Sequence, residues 1–117
     1  MAYTTKGQTF HRKAGQRRAL LKSLARSLVL EERISTTEAK AKALRPFIER
    51  LVSYAKTNTL ATRRFAQSKL GDKAATKKLF DSIGPRYANR NGGYTRITKR
   101  TKRGSNDARK LAYISFV

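Results

Sequence analysis

The 117-residue chain predicts an α+β fold: a two-layer α/β domain in the order helix, strand, three helices, two strands, with a small mixed sheet. Three observations lead there. Apolar residues recur at helical spacing from about Ala14 to Ile83, the pair Gly84-Pro85 interrupts that periodicity, and strand-like sequence follows from Tyr94 onward.

The first predicted element runs from Ala14 to about Leu30, where Leu21, Leu24, Ala25 and Leu28 share one helical face. Arg18, Lys22 and Arg26 follow at i, i+4 and i+8 on another face. Like charges at that spacing destabilise an isolated helix by roughly 0.2–0.5 kcal/mol per pair, a cost that a phosphate backbone reverses. The alternative is a plain solvated face. Arg33-Ile34-Ser35-Thr36, rich in β-branched residues, predicts a short strand.

Thr37 is placed as an N-cap, and Glu38 suits the positive end of the helix that follows and the i+4 partner Lys42. Ala41, Leu44, Phe47, Ile48, Leu51, Val52 and Ala55 make its apolar stripe, so this helix is expected to be the spine of the core. Pro46 lacks a backbone donor and predicts a kink or local break. Asn58 or Thr59 opens a third helix that Gly71 ends; Asp72 caps a fourth, with Ala75, Leu79, Phe80 and Ile83 facing inward until Gly84-Pro85 stops it. Lys69, Lys73, Lys77 and Lys78 read mainly as a solvated face. Tyr94 to Lys99 and Leu111 to Val117 are the last two strands, joined by a basic loop at 100–109 that is longer than the usual hairpin connection of about 2–5 residues.

Composition narrows the function. With 28 Lys and Arg against 7 Asp and Glu, the formal charge is +21, a self-repulsion that makes a polyanion the expected partner. Residues 1–30 carry basic residues and no acid, and residues 86–110 carry the single acid Asp107, so the two flanks are the expected binding surfaces around a more balanced middle. Residues 1–13 lack periodicity and read as a flexible basic arm ahead of a single RNA-binding domain at 14–117. Cysteine is absent, which excludes a disulfide scaffold and thiolate metal sites. No apolar run exceeds four residues, so no membrane partner is expected.

Catalysis has little to work with. His11 is the only histidine and lies in the arm, and Glu31 and Glu32 are sequence neighbours rather than a distinctive acid pair. No catalytic residue, metal, cofactor or small-molecule substrate is predicted. A nucleic-acid surface is: Arg12, Lys13, Arg17, Arg18, Lys22 and Arg26 on one flank, and Arg86, Arg90, Arg96, Lys99, Arg100, Lys102 and Arg103 on the other. Gly92 and Gly93 after Asn91 are expected to take positive φ or to sit against RNA, giving Arg90 and Arg96 a fixed direction. Tyr87 or Tyr94 is placed to stack on an unpaired base; for Tyr87, beside a helix end, packing is the stronger reading, and Tyr94 stands open between the two.

The run GPRYANRNGGYTRI from Gly84 to Ile97, together with Ile34-Ser35-Thr36-Thr37 and Lys40-Ala41-Lys42-Ala43-Leu44-Arg45, resembles the bacterial large-subunit ribosomal protein L-seventeen family over roughly residues 10–99. The resemblance implies the same architecture and a non-enzymatic role in the large ribosomal subunit, bound to its ribosomal RNA near the rim of the peptide exit tunnel. It implies neighbours from the L-thirty-two and L-twenty-two families, in a ribosome of the bacterial cytoplasm or of an organelle. The rival from another class is a DNA-binding or nucleoid-type protein, although no zinc spacing, leucine heptad or recognition-helix signature supports one.

Overall fold

The computed structural model describes residues 14–100 and 110–117; the arm at 1–13 and residues 101–109 of the basic loop lie outside the described residues. Helix α1 (Ala14–Glu31) is followed by strand β1 (Arg33–Thr37), helix α2 (Glu38–Lys56) and helix α3 (Leu60–Leu70). Helix α4 (Lys73–Lys78), a π-helical turn (Leu79–Ile83) and helix α5 (Gly84–Arg86) then run on without interruption, and strands β2 (Thr95–Lys99) and β3 (Leu111–Phe116) complete the fold.

The local signals act where the sequence puts them. Thr37 accepts the backbone N–H of Lys40 at 3.3 Å, Thr59 and Thr62 form a reciprocal cap on α3, Gly71 closes that helix, and Asp72 accepts the N–H of Ala75 at 3.2 Å. Each satisfies backbone groups that a helix end leaves without intrahelical partners. The stripe on α2 is the core's spine: Ala41, Leu44, Ile48, Leu51, Val52 and Ala55 are buried, and Phe47 packs against them from the edge. Ala25, Leu28 and Val29 of α1 and Leu79, Phe80 and Ile83 of the π-helical turn close over it.

The sheet is antiparallel throughout, in the order β1-β3-β2, rather than mixed. The C-terminal strand enters between the other two and runs opposite to both, so no parallel pair arises. Ile34, Ala112 and Ile114 turn toward α2, where the apolar stripe receives them. Alternation then sends Arg33, Ser35, Tyr113 and Arg96 to the opposite face.

Two expected helix breaks do not occur. Helix α2 passes through Pro46 without a break. Nor does Gly84-Pro85 stop the fourth helix, which first widens into a π turn and then continues to Arg86. A proline ring in a regular helix strikes the carbonyl four residues earlier, and a widened turn gives it room. Gly84 has ordinary helical backbone, and its requirement is space: a Cβ there would stand 2.6 Å from the carbonyl oxygen of Ala55. The absent side chain lets the two helices touch.

Gly84→Ala tests that contact. Alanine improves helix propensity by about 1 kcal/mol, but overpacking against a backbone atom that no rotamer change relieves costs about 1–3 kcal/mol or more. The expected net result is a melting temperature lower by several degrees, read by thermal denaturation; an unchanged or raised value shows that α2 and α5 separate freely.

Candidate nucleic-acid interface

The acids of the middle region sit where elements meet. Glu32, just past α1, takes the left-handed conformation with φ of 66°, and its backbone accepts the N–H of Phe116 at the end of β3. Its carboxylate holds Arg86 at 2.6 Å and Lys78 at 3.2 Å. Lys78 also donates to the carbonyl of Leu30 at 2.8 Å, satisfying one of the open carbonyls of α1. The Arg86 hydrogen bond, helped by Lys78 and opposed by partial burial, lowers the Glu32 carboxyl from its ordinary 4.5 to about 2.

Other junctions repeat the device. Glu49 accepts both the N–H and the hydroxyl of Thr95 while paired with Arg45, fixing the start of β2 against α2. Glu38 pairs with Lys42 at 3.0 Å and meets Lys99 at 3.8 Å. Asp81 joins Arg63 of α3 to the π-helical turn at 2.9 Å. The hydrogen bonds from Lys42 and Arg63 hold the Glu38 and Asp81 carboxyls below their ordinary values.

Against this background the predicted contact residues separate into groups. Arg17, Arg18, Lys22 and Arg26 lie on α1, and the last three have no carboxylate within ion-pair distance among the described residues. Arg96 points from β2 onto the open sheet face, and the Arg90 side chain is exposed in the hinge. Asn91, Gly92 and Gly93 form the turn between them, with φ of 115° and 64° at the two glycines. Lys99 is shared with Glu38. Arg12, Lys13, Lys102 and Arg103 lie outside the described residues.

Two of the predicted residues have partners within the fold. Arg86 shares the Glu32 carboxylate with Lys78 and fastens α5 to the end of α1. Tyr94 is 2% exposed and has no ring face to offer a base: it packs 5.3 Å from the Tyr87 ring, and Lys56 donates to its hydroxyl at 2.9 Å. That bond from Lys56 lowers the phenol's pKa from the ordinary value. Tyr87 is 4% exposed and donates to the Val117 carbonyl. Both rings anchor the hinge, and Lys56 also holds the Arg90 carbonyl, so the exposed arginine projects from a fixed backbone.

The aromatic on the open sheet face is Tyr113, which is partly exposed. On the sheet face away from α2, one row reads Arg33, Ser115, Arg96 and the next Ser35, Tyr113, Thr98. The Arg33 guanidinium lies 3.8 Å from the centre of the Tyr113 ring and that of Arg100 lies 5.3 Å from it, with Arg100 further tied to the Ser35 hydroxyl at 3.0 Å. Arg33 and Tyr113 were not among the residues predicted from sequence. The signal lay in the alternation Ala112-Tyr113-Ile114, once β3 is known to have one covered face. A basic antiparallel face carrying a cation-flanked ring suits phosphate forks and base stacking together. No group of three or more side chains able to hold a metal comes together among the described residues.

A family model described as ribosomal protein L17 matches residues 20–117. The chain belongs to that family. It is similar to a protein named large ribosomal subunit protein bL17 from a Hydrogenobaculum species, at 54% identity over all of this chain and 99% of that protein. Relatives of the same name from a Sulfurihydrogenibium species and from Persephonella marina share 45% and 49% identity over all of this chain, covering 97% and 95% of their own lengths. Membership makes the chain a ribosomal protein with a structural, non-enzymatic role.

The Glu32 junction predicts how this family member responds to acid. A carboxylate whose folded pKa lies below its unfolded one contributes stability above the unfolded value and loses it as pH falls toward the folded one. With Glu32 about a third exposed, screening reduces the contribution to about 1 kcal/mol. Glu32→Gln is therefore expected to unfold at lower denaturant concentration at pH 7, and the gap to the parent should close as pH falls from about 4.5 toward about 2. A gap independent of pH shows that the side chain acts through packing and not charge.

Proposed function

We propose that this chain is a constituent of the large ribosomal subunit that clamps large-subunit ribosomal RNA between two basic surfaces, the outer face of α1 and the open face of the sheet with the adjoining hinge. The observation that carries this reading is the division of charge: carboxylates stand at element junctions, while Arg18, Lys22, Arg26, Arg33, Arg90 and Arg96 have no acid partner among the described residues. Arg17 and Arg100 adjoin these surfaces, Arg12, Lys13, Lys102 and Arg103 extend them, and Asn91, Gly92 and Gly93 aim the hinge arginines. Lys99 lies at their edge.

Each phosphate neutralised releases condensed counterions, which drives association without sequence readout. Tyr113, backed by Arg33 and Arg100, adds a stacking surface for an unpaired base, replacing Tyr94 in that role. The rigid middle keeps the two surfaces at a fixed spacing, so the clamp engages separate RNA segments. The names of the bacterial relatives support assembly into the large subunit of a bacterial cytoplasmic ribosome. The sequence resemblance supports a position near the peptide exit tunnel rim, beside L-thirty-two and L-twenty-two family proteins.

Salt titration tests the clamp. If about six to ten phosphates are contacted, affinity for a large-subunit RNA fragment falls roughly 10³–10⁵-fold between about 50 and 200 mM salt. Arg18→Gln lowers the log–log slope by about 0.7–0.9, whereas Tyr113→Ala weakens binding by about 1–3 kcal/mol and leaves the slope nearly unchanged. A flat titration, or tighter binding to duplex DNA than to the structured RNA, overturns the reading.

A further inference from the structure

A groove of about 580 Å³ opens between α1, α2 and α3, away from the sheet face. Its volume falls within the roughly 300–1,000 Å³ of small-molecule sites. Leu21, Phe47 and Leu51 supply apolar surface, and Tyr54 and Phe65 form an aromatic pair with ring centres 4.7 Å apart and planes tilted by 57°. Phe65 is 39% exposed, so its ring is open to a ligand. Four cations, Arg18, Lys22, Arg50 and Lys69, stand around it, and no acid lines it. Among the described residues none of the four has a carboxylate within ion-pair distance.

We propose that this groove receives one unpaired nucleotide of RNA, its base against Phe65 and its flanking phosphates on Arg18, Arg50 and Lys69. The inference rests on the RNA-binding reading above and adds a discrete pocket to it. Charge complementarity and the aromatic wall select the occupant together. A phosphate alone uses the cations and leaves the apolar wall wet; an acidic peptide matches the charge but offers no flat face to the ring. A nucleotide fills both requirements. The Lys69 ammonium stands 5.3 Å from the Phe65 ring centre, held there by the π face, and a base sliding onto that ring releases it toward phosphate. Lys22 lies across the end of α3, where a Cβ on Gly71 would stand 3.1 Å from its side chain. Arg18 and Lys22 also belong to the basic ridge of α1, which makes the groove a side branch of that track.

The test uses the full chain and isotope-resolved NMR, titrated in separate arms with a short single-stranded oligoadenylate, inorganic phosphate and an acidic hexapeptide. Expected are shifts of the Phe65 and Tyr54 ring signals with oligoadenylate alone, and a roughly 5- to 150-fold loss of its affinity in Phe65→Leu, which keeps apolar bulk but removes the stacking face. Equal affinity of Phe65→Leu and the parent, or unmoved ring signals, overturns the nucleotide pocket. So does a hexapeptide that moves the same rings and displaces the oligoadenylate, which assigns the groove to a protein partner. Binding of the large-subunit RNA fragment by the parent, with its salt dependence, is measured in parallel. If that binding is absent, the clamp itself fails; if it is present while the groove stays silent, only the pocket does.

Discussion

Self-repulsion is the constraint under which this fold is assembled. A formal charge of +21 on 117 residues works against every close approach between elements, and seven acids are all the chain has to oppose it. The placement of four of them is structural. Glu32 joins the end of α1 to Arg86 and Lys78, Glu49 joins α2 to the start of β2, Asp81 joins α3 to the π-helical turn, and Glu38 bridges α2 and Lys99. Individually such partly exposed pairs are weak. Placed at junctions, they lower the repulsion where it would otherwise separate elements whose apolar contact area is modest. Arg18, Lys22, Arg26, Arg33, Arg90 and Arg96 are left without an acid partner among the described residues, and the division of labour between scaffold and surface follows from it.

The Glu32 junction shows how closely backbone and charge are linked. A non-glycine residue in the left-handed region carries a conformational cost, and here the geometry turns the chain sharply from α1 into β1. Glycine would make that turn more cheaply but would supply no carboxylate. The fold accepts local strain because the side chain at that point meets two cations from an element 46 and 54 positions further along, at Lys78 and Arg86.

What was legible in the sequence and what was not divides along the range of the interactions involved. Helical stripes, the Thr37, Thr59 and Asp72 caps and the Glu38–Lys42 pair depend on residues within four positions of each other, and the sequence displays those neighbours directly. The basic ridge of α1 was readable for the same reason. Arg86 and Tyr94 read as contact residues because their partners, Glu32 and Lys56, are remote in sequence. Tyr113 and Arg33 were invisible as a pair since 80 residues separate them and only the β1–β3 register brings them together. Gly84-Pro85 was misread from local rules alone: those two residues do end most helices, and what keeps this one going is a widened turn and the space that Gly84 leaves beside Ala55.

The strand order β1-β3-β2 has a consequence in time. β3 is the middle strand, so β1 and β2 have no edge in common and neither has a sheet partner until residues 111–116 have left the machinery that makes them. Up to that point the nascent chain possesses its helices, whose apolar stripes are complete by Ile83, and two strands with unsatisfied backbone. Sheet formation therefore waits for residues 111–116, and with it comes the Tyr113 ring beside Arg33 and Arg100. The aromatic half of the open face does not exist before the sheet has closed, and a nascent chain without residues 111–116 lacks the Tyr113 row altogether.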